Sequence, residues 1–414
     1  MHKITLRTLC IPLCFLLAKA AAQSDTATAN RFRRDSLAAC AKEQYQMDAA
    51  DLYRRIFHIK PPADECDSTK QAKKVQLAGV PAFGYSMATG LAGVFSGNAA
   101  FHIGRNRITK LSVIDASIAY TQRSQIILPV LSNIWTSRNK FNLLGELRYY
   151  NYPSATYGLG SHTTEENADD LSYNYLLFHE AVLRHIGESR FYAGLAYNLN
   201  YHWNISETSN DGIVTDFQRY GFSKRSISSG ISVNALYDTR KNTINPSQAA
   251  YASISLCPNL RALGSDNNYL NLLIDLRKYI KIGKSDNVLA LWSYNWFTFN
   301  GHAPYLDLPS TGWDAYANVG RGYIQGRYAG KNLIYAEAEY RFGILRNGLI
   351  GGVVFANAQS YTEWPGNRFE VILPAVGTGL RIKLNKDSKT NVSIDYGFGL
   401  HGSNGIFINL GEVF

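Results

Sequence analysis

The sequence predicts an all-β protein: a sixteen-stranded antiparallel transmembrane β-barrel preceded by a short N-terminal helical periplasmic segment. Three observations predict it. Apolar and polar residues alternate with a period of two over segments of about ten residues, repeated along most of the chain. The connectors between those segments alternate between short and long. The chain opens with an export signal, yet afterwards holds no apolar run near the roughly 18 residues that a spanning helix needs.

The first element is the export signal, residues 1–22, "MHKITLRTLCIPLCFLLAKAAA". Lys3 and Arg7 form a positive start, Leu9 to Ala18 an apolar core, and Ala20-x-Ala22 a small-residue cleavage site. Cys10 and Cys14 lie inside it, without a lipobox. Cleavage would remove Lys3, Arg7 and Lys19 and lower the net charge from +10 to +7. That value suits any exported fold and selects no partner. Cys40, Cys66 and Cys257 remain, too few for a disulfide scaffold and without zinc-ligand spacing. Cys40 and Cys66 are free to pair in an oxidising compartment or to stay reduced.

Residues 23–75 have a different texture. In "MDAADLYRRIFHIKPP", Asp48 suits an N-cap, Asp51 the first turn, Leu52 and Ile56 share a face, and Pro61 is a stop. A short helix is expected here, with another near 35–44 and a charged linker to about Lys74. Segment 35–60 is the expected contact with a periplasmic or outer-membrane protein partner.

The barrel is expected over 76–414. Strands are placed near 76–87, 91–103, 111–121, 124–135, 139–151, 171–186, 190–206, 226–238, 248–257, 267–282, 287–299, 331–345, 346–358, 374–385, 389–399 and 405–414. "LIYAEAEYRFGI" sets Ile334, Ala336, Ala338, Tyr340 and Phe342 against Glu337, Glu339 and Arg341. "TNVSIDYGFG" sets Val392, Ile394, Tyr396 and Phe398 against Ser393, Asp395, Gly397 and Gly399. In "NGIFINLGEVF", Ile406, Ile408, Leu410 and Phe414 fall on one face as a C-terminal barrel signature. The chain carries 27 Tyr, 19 Phe and 6 Trp with only 18% charged residues. A secreted sandwich would also alternate, but its polar face rarely uses so many glycines. A closed barrel satisfies every backbone group in hydrocarbon and lets charges of both signs pair inside.

Four stretches, in order, carry a family resemblance over roughly 76–414. They are "PAFGYSMATGLAGVFSG", "YPSATYGLGSHT", "YDTRKNTINPSQ", and "GTGLRIKLNKDSKTNVSIDYGFG" with terminal "GEVF". With them the chain resembles the BamA/TamA family of outer-membrane barrels, the bacterial surface antigen family. The resemblance implies residence in the outer membrane of a Gram-negative-type cell and a role in protein or lipid assembly or translocation. Residues 23–75 are too short for even one of the family's periplasmic POTRA domains, so none is expected there.

The resemblance also assigns a site. "VGRGYIQGRYAGKN" (319–332) is one residue too long for a dinucleotide fingerprint and lacks its strand and helix. Arg321, Gly322 and Tyr323 instead match the family's Arg-Gly-Tyr/Phe signature, which implies a loop folded back into the lumen. Glu339 is the first expected partner of Arg321, with Glu337 and Asp395 sharing the lumen. Asn357 stands where the family usually has Asp; it can accept a hydrogen bond but supplies no charge. An always-charged planar guanidinium in a confined space demands such acceptors.

Other charged residues receive plainer readings. "TEENADD" (164–170) with His162 reads as a solvated loop, lacking calcium-loop spacing. Glu180 and Arg184 share a strand face and are expected to bridge inside the lumen. No catalytic residues, metal or cofactor are expected, and no nucleic acid; outer-membrane lipid or lipopolysaccharide is. Two rival functions stand beside the first: a passive channel or uptake porin, and a structural outer-membrane interaction protein.

Overall fold

A computed structural model of the chain describes residues 46–59, 75–86, 89–104, 109–166, 168–209, 214–221, 223–283, 285–386 and 388–414. The expected signal peptide, the helix near 35–44, Cys40 and Cys66 lie outside the described residues. Among the described residues no helix is long and apolar enough to cross a membrane.

Seventeen strands form one antiparallel sheet. They are β1 (Val75–Ser86), β2 (Gly90–Phe101), β3 (Ser112–Thr121), β4 (Ile126–Trp135), β5 (Phe141–Asn151), β6 (Ser154–Thr156), β7 (Asp169–His185), β8 (Phe191–Thr208) and β9 (Arg225–Asp238). There follow β10 (Ala249–Asn259), β11 (Tyr269–Lys281), β12 (Val288–Phe299), β13 (Asn332–Gly343), β14 (Ile350–Tyr361), β15 (Leu373–Asn385), β16 (Thr390–Phe398) and β17 (Asn404–Leu410). Sixteen are the long strands expected from the alternation. The seventeenth, β6, is a three-residue piece on the edge of β7, and β5 pairs with β7 directly.

The alternation becomes two faces. On β13, Tyr335, Glu337, Glu339 and Arg341 are buried while Ile334, Ala336 and Ala338 are exposed. On β16, Ser393, Asp395 and Gly397 are buried while Ile394, Tyr396 and Phe398 are exposed. An exposed apolar face is an error in water but the correct face for lipid; Phe83 of β1 is 86% exposed.

The sheet curls around one segment, the 300–331 connection between β12 and β13. That loop touches Arg148 of β5, Ser228 of β9, Glu337 of β13, Asn357 of β14 and Asp395 of β16. Strands so distant in sheet order meet one loop only if the sheet bends round it. β17 lies beside β1 and β2, bringing the ends of the sheet together.

Helix α1 (Ala49–Ile56) sits at the short-turn end. Asp48 caps it as expected, in a capping box with Asp51. It ends at Ile56, before Pro61. Met47 N donates to Asn347 O at 2.9 Å, Lys386 N to Asp48 Oδ2 at 3.1 Å, and Lys386 Nζ pairs with Asp51 Oδ2 at 3.1 Å. The helix is therefore pinned to the β13–β14 and β15–β16 turns, with Leu52, Tyr53, Ile56 and Phe57 exposed. A second helix, α2 (Asp216–Tyr220), lies in the β8–β9 loop.

Two expectations are corrected. Glu180 and Arg184 lie on the outer face of β7, both exposed, because Tyr173, Tyr175, Ala181 and Leu183 set the buried parity of that strand. The charge suggested an inward face; the register decides otherwise. Phe414 does not continue the face of Ile406, Ile408 and Leu410. β17 stops at Leu410, the chain turns at Gly411, and Phe414 is buried against Trp292, ring centroids 5.0 Å apart.

Candidate functional site

Strand parity positions the wall of the site. Glu337, Glu339 and Arg341 alternate along β13, and Arg381 of β15 and Asp395 of β16 face the same interior. The loop brings Arg321 to them. Its guanidinium is wholly buried and donates through Nη1 to Asp395 and through Nη2 to Glu337 and to Glu339 Oε2, the last at 2.6 Å. The group lies over Phe355, Cζ 3.8 Å from the ring centroid. The face meets the ring while the two terminal nitrogens meet the carboxylates; Nε has no hydrogen-bond partner.

The network extends beyond the expected set. Arg341 Nε donates to Glu339 Oε1 at 2.6 Å, and Arg381 Nη1 to Asp395 Oδ1 at 2.5 Å. Glu412 joins them, accepting from Arg381 Nε at 2.7 Å and lying 3.6 Å from Arg341 Nε. Three guanidiniums therefore face four carboxylates, and Tyr335 donates its hydroxyl to Glu337. Buried charges tolerate such confinement only when each is paired and hydrogen-bonded.

Gly322 and Tyr323 seat the loop. Gly322 has φ of +111°, and a Cβ there would lie 2.8 Å from Ala375 Cβ. Both the backbone region and the space require glycine. Tyr323 donates its hydroxyl to Pro374 O at 2.6 Å and accepts from Leu400 N at 3.0 Å, binding the loop to β15 and to the end of β16.

Asn357 behaves differently from the sequence expectation. Its Nδ2 donates to Arg321 O at 2.9 Å, so it holds the backbone of the arginine rather than its charge. A carboxylate at this position has no proton to donate, which gives the departure from the family's Asp a physical sense.

Sequence reasoning set Arg341 and Arg381 on polar strand faces without naming them as partners of the site, and passed over Glu412, Asp314 and Asn318. The first two carried a signal, their inward parity beside Glu339 and Asp395. Glu412 was hidden because a strand was read to the end of the chain. Asp314 and Asn318 lie in a loop without periodicity. Asp314 Oδ1 accepts from the backbone of Asn318 at 2.8 Å and of Val319 at 2.7 Å, shaping the loop just before Arg321.

The other half of the interior is open. A cavity of about 410 Å³ is bounded by β2 to β5, β7 to β12, loop residues 306–316 and the last residues of the chain. Its wall carries Asn198, Asn234, Asn271, Ser253 and Ser255, with ion pairs inside single strands: Arg148–Glu146 and Arg277–Asp275. Among the described residues no cluster of His, Cys, Asp and Glu could hold a metal ion.

Solved structures share the fold. BamA from Haemophilus ducreyi lacking POTRA domains 1–3 matches with a TM-score of 0.50 at 15% identity, covering 82% of this chain and 69% of that one. CdiB from Acinetobacter baumannii matches with a TM-score of 0.52 at 14% identity, covering 83% of this chain and 61% of that one, under two thirds of its length. At such identities the likeness is one of fold. No curated protein matches by sequence. The model of the Omp85 superfamily domain, whose members are outer-membrane β-barrels, matches residues 113–406. The chain belongs to the Omp85 superfamily.

Proposed function

We propose that this chain works in outer-membrane protein or lipid assembly or translocation, handling its client at the seam between β1 and β17. Loop 300–331 would keep the interior plugged meanwhile. In this reading residues 1–22 are a cleaved signal peptide, the outward face meets outer-membrane lipid and lipopolysaccharide, and the chain has no enzymatic role.

The observation that carries the reading is the mismatch at the seam. β1 is twelve residues long, while β17 has seven and then turns inward. Part of the β1 edge is therefore left without a strand beside it, and an unpaired edge is a template for an incoming strand. A disulfide locking β1 to β17 tests this. It should block client assembly in cells and release it on reduction; normal assembly with the seam locked would refute the reading.

The passive channel is the second reading, favoured by the open cavity of about 410 Å³. Planar-bilayer recording separates the two. A steady ohmic conductance supports a pore, and little or flickering current supports a plugged barrel. The exposed Leu52, Tyr53 and Ile56 of α1, with Phe57 just after it, support a protein contact through 35–60 in either case. Crosslinking from Leu52 or Ile56 that recovers no partner would remove that contact.

A further inference from the structure

The inward turn at the end of β17 is held by a residue of the loop. Gly411 has φ of +108°, which redirects the chain, and Val413 and Phe414 then lie buried in the interior. Asn318 grips both limbs of this bend. Its Oδ1 accepts from Asn409 Nδ2 at 2.9 Å, before the turn, and its Nδ2 donates to Val413 O at 3.0 Å, after it. The side chain is 1% exposed, so neither bond has water as a ready substitute.

The grip is anchored on the far wall. Asn318 N donates to Asp314 Oδ1 at 2.8 Å, and Asp314 O accepts from Arg148 Nη2 of β5 at 2.8 Å. A line of hydrogen bonds thus runs from β5 through the loop to the last residues of the chain. These residues have another destination. Extended in line with Leu410, they would prolong β17, which lies beside β1, and an exposed strand edge seeks partners.

We propose that Asn318 is a positioning residue: it ties the plug loop to the bend of β17 and so sets how much of the β1 edge stays uncovered. Loop position and seam length are then one coupled variable. Displacing the loop frees residues 411–414 to zip onto β1, and seating it draws them back. The inference rests on the proposed seam for its use, but the bend can be measured without any client.

The test is disulfide formation in outer membranes, in a chain with Cys40, Cys66 and Cys257 changed to Ser. Val413→Cys is paired in turn with a cysteine at the inward positions Gln76, Ala78 and Val80. Yields should be low with Asn318 intact. Asn318→Ala should raise the best pair about five-fold or more, the factor that one net hydrogen bond represents. Asn409→Ala, which removes only the first limb, should give a smaller rise.

A control pair between Thr378 and Tyr396, register partners on β15 and β16, should not change. Folded Asn318→Ala and Asn409→Ala chains with parental yields would overturn the proposal. Full crosslinking in the parent would do the same. Should Asn318→Ala fail to fold, Asn409→Ala decides alone by the same yields. Client assembly insensitive to a locked seam, with these yields rising, would sink the proposed function and leave the tie standing.

Discussion

The two halves of the interior solve one problem in opposite ways. Toward β13 to β17, charges pair between elements: Arg321 comes from the loop, and its partners come from β13 and β16. Toward β2 to β12, the recurring pairs lie two residues apart, Glu146 with Arg148, Asp238 with Arg240 and Asp275 with Arg277, with Lys110 also reaching Asp238 at 3.5 Å. A pair between elements ties those elements and fills the space between them. A pair two residues apart along the chain is largely satisfied locally and asks less of the space in front of it. The cavity lies before these local pairs, with loop residues 306–316 on its border, and Arg321 lies before the others. What separates the two halves is therefore less the amount of charge than the distribution of partners.

Substitutions can break or sharpen that contrast. Arg321→Ala should have the largest effect, since it strands Glu337, Glu339 and Asp395 around two remaining guanidiniums. A loss of about 3–5 kcal/mol is expected, read as urea unfolding in detergent and as new protease cleavage within 300–331. Unaltered unfolding would mean that the cross-element network is not what holds the plug. Asn357→Asp should cost about 1–3 kcal/mol, because it replaces the donor to Arg321 O and adds a fifth carboxylate. A stabilised variant would show that charge, not the donated proton, matters there.

Arg277→Ala belongs to the open half. It should cost about 1 kcal/mol, because Asp275 keeps Trp292 Nε1 at 3.0 Å and faces the cavity. Ion selectivity in bilayer recordings should move more than stability does. A loss as large as that of Arg321→Ala would erase the distinction between the halves. Lys386→Ala, at the rim, removes a partly exposed pair with Asp51 and should change stability by about 0.2–1 kcal/mol, in a manner lost at high salt. A salt-independent or larger change would make α1 part of the core architecture.

Much of this was legible in the sequence, for reasons of periodicity. Strands write a period of two into the chain, so β13, β15 and β16 declared their inner faces, and Glu337, Glu339 and Asp395 with them. The i,i+2 pairs of the open half were legible in the same way, as E-x-R and D-x-R. Parity fails where backbone geometry changes. Gly411 ends β17 early, and no alternation shows that Phe414 turns inside. Glu180 and Arg184 misled because charge was allowed to outvote the register that Tyr173 and Tyr175 impose. Asn357 was ambiguous in principle, since an amide can donate or accept and the sequence does not say which end is used. Asp314 and Asn318 lie in a loop, where position is set by contacts rather than by period.

The breadth of the loop's contacts has a consequence for how the molecule is made. A segment that touches β5, β9, β13, β14 and β16 cannot reach its resting place until walls far apart in the chain have formed. Contacts of such long sequence separation are slow to gather. Refolding into lipid should therefore show two phases on semi-native gels: early appearance of a compact band, then late protection of residues 300–331 from protease. Arg321→Ala should abolish the second phase while sparing the first.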